Sequence, residues 1–112
     1  METIDWKAFA RVELRVGRIV KVEEFPEARK PAWILRIDFG SELGIRNSSA
    51  QIKELYSADE LIGKLVVAVL NLPPKQIGPF ISECLVTGFL DENGNVVLCV
   101  PEKTVPLGAR LF

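Results

Sequence analysis

The amino-acid sequence predicts an all-β domain with short helices, closed as a five-stranded Greek-key barrel. Three observations predict it. Apolar residues recur at every second position over 12–22 and 33–39, the period of a half-buried strand. Turn signals punctuate the short apolar stretches: Gly40 and Gly44, Pro73-Pro74, Gly78-Pro79, and Asp91-Glu92-Asn93-Gly94. No strand alternates with a helical pattern long enough to cross between parallel strands, which argues against an α/β sheet.

Asp5 to Phe9 reads as a turn or two of helix, with Asp5 as N-cap and Trp6 and Phe9 one turn apart. Such a short helix is not stable alone, so its aromatics need a surface on the body or on a second subunit. The first strand then places Val12, Leu14, Val16, Val20 and Val22 on one face and Glu13, Arg15, Lys21 and Glu23 on the other. Gly17 interrupts it, where a small barrel bends or bulges so that strand one can pair with both halves of the sheet. Phe25 to Pro31 is a proline-bounded loop with Arg29 and Lys30 at its tip. In the second strand Trp33, Leu35, Ile37 and Phe39 face inward and Ile34, Arg36 and Asp38 outward.

Gly40 and Gly44 frame a hairpin into a third strand, Ile45 to Ile52, which is unusually polar. Gln51 to Tyr56 suits one and a half turns of helix. Ser57-Ala58-Asp59-Glu60 is a capping box that starts a second helix, ended by Gly63. Leu65 to Leu70 is a continuous apolar run, the mark of a strand buried on both faces. It ends in a stiff loop, Asn71-Leu72-Pro73-Pro74, with Lys75-Gln76 at a polar tip. Because proline fixes φ, this loop loses little entropy when it holds a ligand. Ile81 to about Phe89 is the fifth strand, and Asp91 to Gly94 turns the chain into a return strand, Val96 to Val100. A helix between strands three and four of a small Greek-key barrel is the OB arrangement, with the N-terminal helix and a C-terminal β extension added.

The length of 112 residues fits one domain, 1–112, with one core. At 48% hydrophobic and 26% charged residues the composition is that of an ordinary soluble domain. No apolar run approaches the ~18 residues of a membrane span, and the charged N-terminus does not read as a leader, so the expected compartment is the cytoplasm. The net charge of −1 argues against nucleic-acid binding by bulk charge but allows a local basic face. Cys84 and Cys99 lie in apolar runs without metal-ligand spacing and read as reduced core thiols. Histidine is absent, no phosphate loop or catalytic triad can be assembled, and no metal or cofactor is expected.

Binding is better supported than catalysis. OB barrels hold unpaired nucleic acid with hydrogen-bonding groups, flat side chains and a few cations. The donors and acceptors in reach are Asn47, Ser48, Ser49, Gln51, Asn71, Gln76 and Ser82, and the cations are Lys30, Arg36, Arg46 and Lys75. The topology lets the end of strand three, the loop after strand four and the start of strand five converge at one rim.

LRVGRIVKVEEFPEA, SSAQI, ELIGK, NLPPKQIGPFISE and VPLGARL, in that order over nearly the whole chain, resemble the tRNA-binding domain family of the OB superfamily. FPEARKPAW, IDFG, SSAQI and NLPPKQI are most similar to its CsaA type. The family also supplies appended domains of methionyl- and phenylalanyl-tRNA synthetases. The resemblance implies a homodimer held by the N- and C-terminal segments, tRNA recognised by shape, and a secretion-related chaperone role toward unfolded precursor proteins. The synthetase-type loop pattern maps onto Asn71, Pro74, Lys75 and Ser82-Glu83-Cys84-Leu85, with Cys84-Leu85 standing where that pattern has Gly-Met.

The expected function is therefore tRNA binding through Lys30, Arg36, Arg46 and Lys75 on phosphates and Asn47, Ser48, Gln51, Asn71, Gln76 and Ser82 as hydrogen-bonding groups, with Leu85 beneath a base. The alternative is a chaperone holding unfolded polypeptide in an apolar groove around Trp33, Ile77 and Phe80. A purely structural domain is the third reading.

Overall fold

The computed structural model describes every residue from Met1 to Phe112. A short helix α1 (Trp6–Ala10) precedes β1 (Leu14–Glu24), β2 (Trp33–Asp38) and β3 (Ile45–Ala50). One turn of helix, α2 (Ala58–Leu61), leads to β4 (Leu65–Val69). The rest of the chain is β5 (Lys75–Ile77), β6 (Phe80–Ser82), β7 (Leu85–Val86), β8 (Gly88–Leu90) and β9 (Val96–Leu98). The main sheet is antiparallel in the order β3-β2-β1-β4-β7 and curls into a nearly closed five-stranded barrel. The fold class expected from the pattern is the one observed.

β1 serves both halves of the sheet. Leu14 to Arg18 pairs with β4, and Arg18 to Glu24 pairs with β2. The switch is made by a bulge at Val20: the register with β2 slips between Ile19↔Ile37 and Lys21↔Arg36. The bulge reverses which residues face inward. The expected single apolar phase is therefore wrong. Ile19 is fully buried while Val20 is 43% exposed. Gly17 lies three residues earlier and has a different task. A Cβ there would stand 2.5 Å from Ile37 Cγ2 and 2.6 Å from the Phe39 ring. Glycine lets the core side chains of Ile37 in β2 and of Phe39 just after it cross directly over β1.

β2 alternates as expected, with Leu35, Ile37 and Phe39 buried and Arg36 exposed. β4 is buried on both faces: Val66, Ala68 and Leu70 point into the barrel core with Ile19, Leu35, Ile37, Phe39 and Leu61. The C-terminal segment fills the edge of β1 that β2 leaves vacant, through Val16 N to Ala109 O (2.9 Å), Gly108 N to Val16 O (2.8 Å) and Leu111 N to Leu14 O (2.9 Å). Both capping expectations hold. Asp5 accepts from Ala8 N, and Ser57 and Glu60 form the full capping box.

Three expectations fail. Gln51 to Tyr56 is not helical but a turn, closed by Tyr56 N to Ile52 O at 3.2 Å. The single fifth strand is broken into β6, β7 and β8. Lys75-Gln76 is not a loop tip: both residues lie in β5, which pairs with β6 as a hairpin turning at Gly78-Pro79. Gly78 adopts φ +59°, which the first residue of a tight hairpin turn requires and a side chain disfavours.

Candidate nucleic-acid interface

The site is built where the barrel closes. β3 and the β6–β7 segment meet edge to edge without a continuous ladder, joined by one backbone bond and several that use side chains. Glu83 N donates to Asn47 O at 2.8 Å, and Asn47 N donates back to the Glu83 carboxylate at 2.9 Å. The Ser48 hydroxyl donates to Cys84 O at 2.9 Å, and Ser49 N donates to Ser82 Oγ at 3.2 Å. Within IRNSSAQI only the Ser48 hydroxyl crosses the seam as a side chain; Asn47 and Ser49 enter it through backbone groups, met by the Glu83 and Ser82 side chains from the other edge.

The β5–β6 hairpin stands over this seam and forms one wall of a trough. Phe80 packs on Phe25 at 5.3 Å between ring centroids, tying the hairpin to the 25–31 loop. Three adjoining depressions make up the trough. The first, about 250 Å³, lies between the Leu72-Pro73 loop and the seam residues Ser82 to Leu85. The second, about 650 Å³, runs under the hairpin to Arg29 and Lys30. The third, about 320 Å³, continues past Lys30 to Lys53 and Asn95. Gln51 lines all three, Lys75 joins the first two and Lys30 the last two.

The expected residues separate into two sets. Lys30, Gln51, Lys75, Gln76, Ser82 and Leu85 line the trough. Arg36 stands outside it, on the outer face of β2 directly across from Asn47. Ser48 is 1% exposed and its hydroxyl is spent on the seam, so it has no surface to offer a ligand. Asn71 is committed at both ends of its amide: Oδ1 accepts from Glu13 N at 2.9 Å, and Nδ2 donates to Arg11 O at 2.6 Å. Arg46 is half-buried and donates to Leu70 O at 3.3 Å. These two polar groups splice the end of β4 to its neighbours.

The apolar groove expected around Trp33, Ile77 and Phe80 is not a bare cleft. The Trp33 indole N–H donates to Tyr56 O at 3.0 Å, and Lys53 covers its ring at 4.3 Å. Phe80 faces Phe25, leaving Ile77 alone of the three in the trough. Sequence reasoning counts Ser49 among the candidate donors and places Glu83 within the loop pattern, without giving either a role; it does not single out Leu72, Pro73 or Lys53 as site residues. The dipeptide Leu72-Pro73, an apolar residue held exposed by a following proline, was a usable signal; Lys53 gave none.

Four cations, Arg29, Lys30, Lys53 and Lys75, and three carboxylates, Glu27, Glu54 and Glu83, line the trough. Lys53 also pairs with Glu24. The field is only weakly positive, so shape and hydrogen bonding carry more of any recognition than charge does. The Cys84 thiol at the trough floor is pushed up to about 11 by burial, against the lowering effect of the Ser48 hydrogen bond and of Arg46. Both cysteines are free, Cys84 buried and Cys99 half-buried. No group of three or more His, Cys, Asp or Glu residues is placed to hold a metal, and no helix is long and apolar enough to cross a membrane.

A family model described as putative tRNA binding domain matches residues 14–110. Among solved structures, chaperone CsaA of Bacillus anthracis strain Ames is 45% identical, with a TM-score of 0.92 over 99% of this chain and 100% of that one. The CsaA chaperone protein of Picrophilus torridus is 46% identical, with a TM-score of 0.91 over 98% and 100%. The methionine–tRNA ligase of Pyrococcus horikoshii is 37% identical over 111 residues, which are 99% of this chain and 15% of the ligase. The chain thus matches only a small part of the length of such ligases.

Proposed function

Because the chain belongs to the putative tRNA binding domain family, we propose that it binds tRNA along the trough between β3 and the β5–β6 hairpin. The observation that carries this reading is the convergence of Gln51, Lys75 and Lys30 along three adjoining depressions that share them as lining residues. Lys30 and Lys75 meet phosphates, Gln51, Gln76 and Ser82 supply hydrogen-bonding groups, and Leu85 offers an apolar surface to a base. Arg36 and Asn47 flank the path on the outer face. The domain acts as a binding module rather than an enzyme, in the cytoplasm where tRNA resides.

We read the working unit as a homodimer. Leu14, Val16, Val67, Val100, Val105, Leu111 and Phe112 line an apolar groove on the outside of the barrel. Phe112 and Trp6 are almost wholly exposed. A second copy covering this face would bury Phe112 and, with the N-terminal segment drawn into the contact, Trp6 as well. Two troughs on one particle would then engage one tRNA with avidity.

A second reading follows from Leu72, Ile77 and Leu85, which give the first depression apolar walls, and from the chaperone names of the structural neighbours. In it the same trough holds segments of unfolded precursor proteins. Salt separates the two. Affinity for tRNA falls as salt rises, with a slope near −0.7 to −0.9 per neutralised phosphate. Affinity for an apolar peptide holds or tightens in sulfate. A tRNA affinity that does not respond to salt would remove the first reading.

A further inference from the structure

The first depression of the trough combines an apolar and a polar lining. Leu72, Pro73, Ile77 and Leu85 supply the apolar part, with the buried Cys84; Ser49, Gln51, Lys75, Ser82 and Glu83 supply the polar part. Leu72 and Leu85 remain 48% and 51% exposed, so two large aliphatic side chains flank an open slot. At about 250 Å³ the slot has room for a purine base. An apolar lining with hydrogen-bonding groups beside it is what an unstacked base needs.

The polar groups differ in what they have left to offer a ligand. Ser82 Oγ is engaged by Ser49 N at 3.2 Å and stands 3.4 Å from Cys84 O. The Glu83 carboxylate accepts one bond, from Asn47 N at 2.9 Å. An ionised carboxylate has about four acceptor sites and no donor, so roughly three remain for a ligand. The base that meets it must present donors. Guanine shows two side by side, N1–H and the N2 amino group. Adenine places a bare acceptor, N1, at the equivalent position, and an acceptor facing a carboxylate is repelled.

We propose that this slot is a single-base pocket, taking one unpaired guanine with its Watson–Crick edge on Glu83 and its ring between Leu72 and Leu85. The proposal rests on the tRNA reading above and gives that reading a base preference. In an RNA that is otherwise held by shape, one everted guanine in a loop would set the register of the trough on its ligand.

The test uses the full chain and mononucleotides as probes. Millimolar GMP shifts the methyl resonances of Leu72, Ile77 and Leu85 and binds about tenfold tighter than AMP. In Glu83→Gln this preference disappears. Leu85→Trp, at an already exposed position, fills the slot, abolishes the GMP shifts and weakens tRNA binding about five- to tenfold. The nucleotide titration needs no tRNA, so it decides the pocket independently of the affinity that tests the tRNA reading. Equal shifts from GMP and AMP, or none from either, overturn the proposal. So does displacement at the same methyls by an unfolded polypeptide alone, which would make the slot a seat for an apolar side chain. An unchanged tRNA affinity in Leu85→Trp would overturn the pocket while leaving tRNA binding in place.

Discussion

The hydroxyl of Ser48 donates to the carbonyl of Cys84 at 2.9 Å across the barrel seam, with both residues buried. Removing it leaves a buried carbonyl short of a partner, which costs ~1–3 kcal/mol. Ser82 Oγ stands 3.4 Å from the same carbonyl and offsets part of the loss. Ser48→Ala should therefore lower unfolding free energy by ~1 kcal/mol in urea titration, with tRNA affinity of the folded protein unchanged. A loss of tRNA affinity without loss of stability would return Ser48 to the binding surface.

The Cys84 thiol gives the same seam an alkaline limit. Burial raises it from the usual 9.0 to about 11 in the folded protein. Below pH 9 the thiol is neutral in both states and its contribution is complete. Between pH 9 and 11 the unfolded chain ionises while the folded one does not, so stability falls by up to ~2–3 kcal/mol. Cys84→Ala should flatten the alkaline limb of the stability profile, and native Cys84 should react with iodoacetamide at pH 8 far more slowly than the denatured chain. Parallel alkaline limbs in both proteins would count against this assignment.

Position relative to the trough, rather than charge alone, should rank the cations. Lys75→Ala and Lys30→Ala each lower tRNA affinity and reduce the salt slope by about 1. Arg36→Ala, on the outer face of β2, should have a smaller effect on both. Filter binding over a salt series measures all three. An Arg36 effect as large as that of Lys75 would move the binding path onto the sheet face.

The apolar groove beside the C-terminal segment predicts the assembly state. Leu111 is 46% exposed and lines it. Leu111→Asp places a charge in the proposed dimer contact, so sedimentation should report a monomer where the parent chain is a dimer. Because a single trough loses avidity, tRNA affinity should fall about 10²-fold or more. A parent chain that sediments as a monomer would end the two-trough account.

How much of this was legible depended on how local the cause was. Trp33 to Phe39 and Leu65 to Leu70 declared themselves because one residue spacing decides each, and Ser57 to Glu60 because a capping box is complete within four residues. The phase of β1 did not, because an extra residue at Val20 leaves no mark in composition and inverts everything before it. Gln51 to Tyr56 looked helical by spacing alone, yet Trp33 reaches over to bond Tyr56 O, and Tyr56 in turn bonds Leu98 N. Among the polar residues, sequence could count donors but not allot them. Ser48 and Arg46, and the still exposed Asn71, are engaged in bonds within the fold, while Gln51 and Lys75 are left free to face solvent.

The seam behaves as the clasp of a hoop. It is the join held by scattered backbone and side-chain bonds instead of a full ladder, so it is where the wall should part first under thermal fluctuation. The trough straddles that join, with Ser49 on one side and Ser82, Glu83 and Leu85 on the other. Whatever lodges there touches both ends of the clasp at once. Occupancy and closure are then the same event viewed from two directions, and a ligand that prefers the shut form lends the barrel its own binding energy.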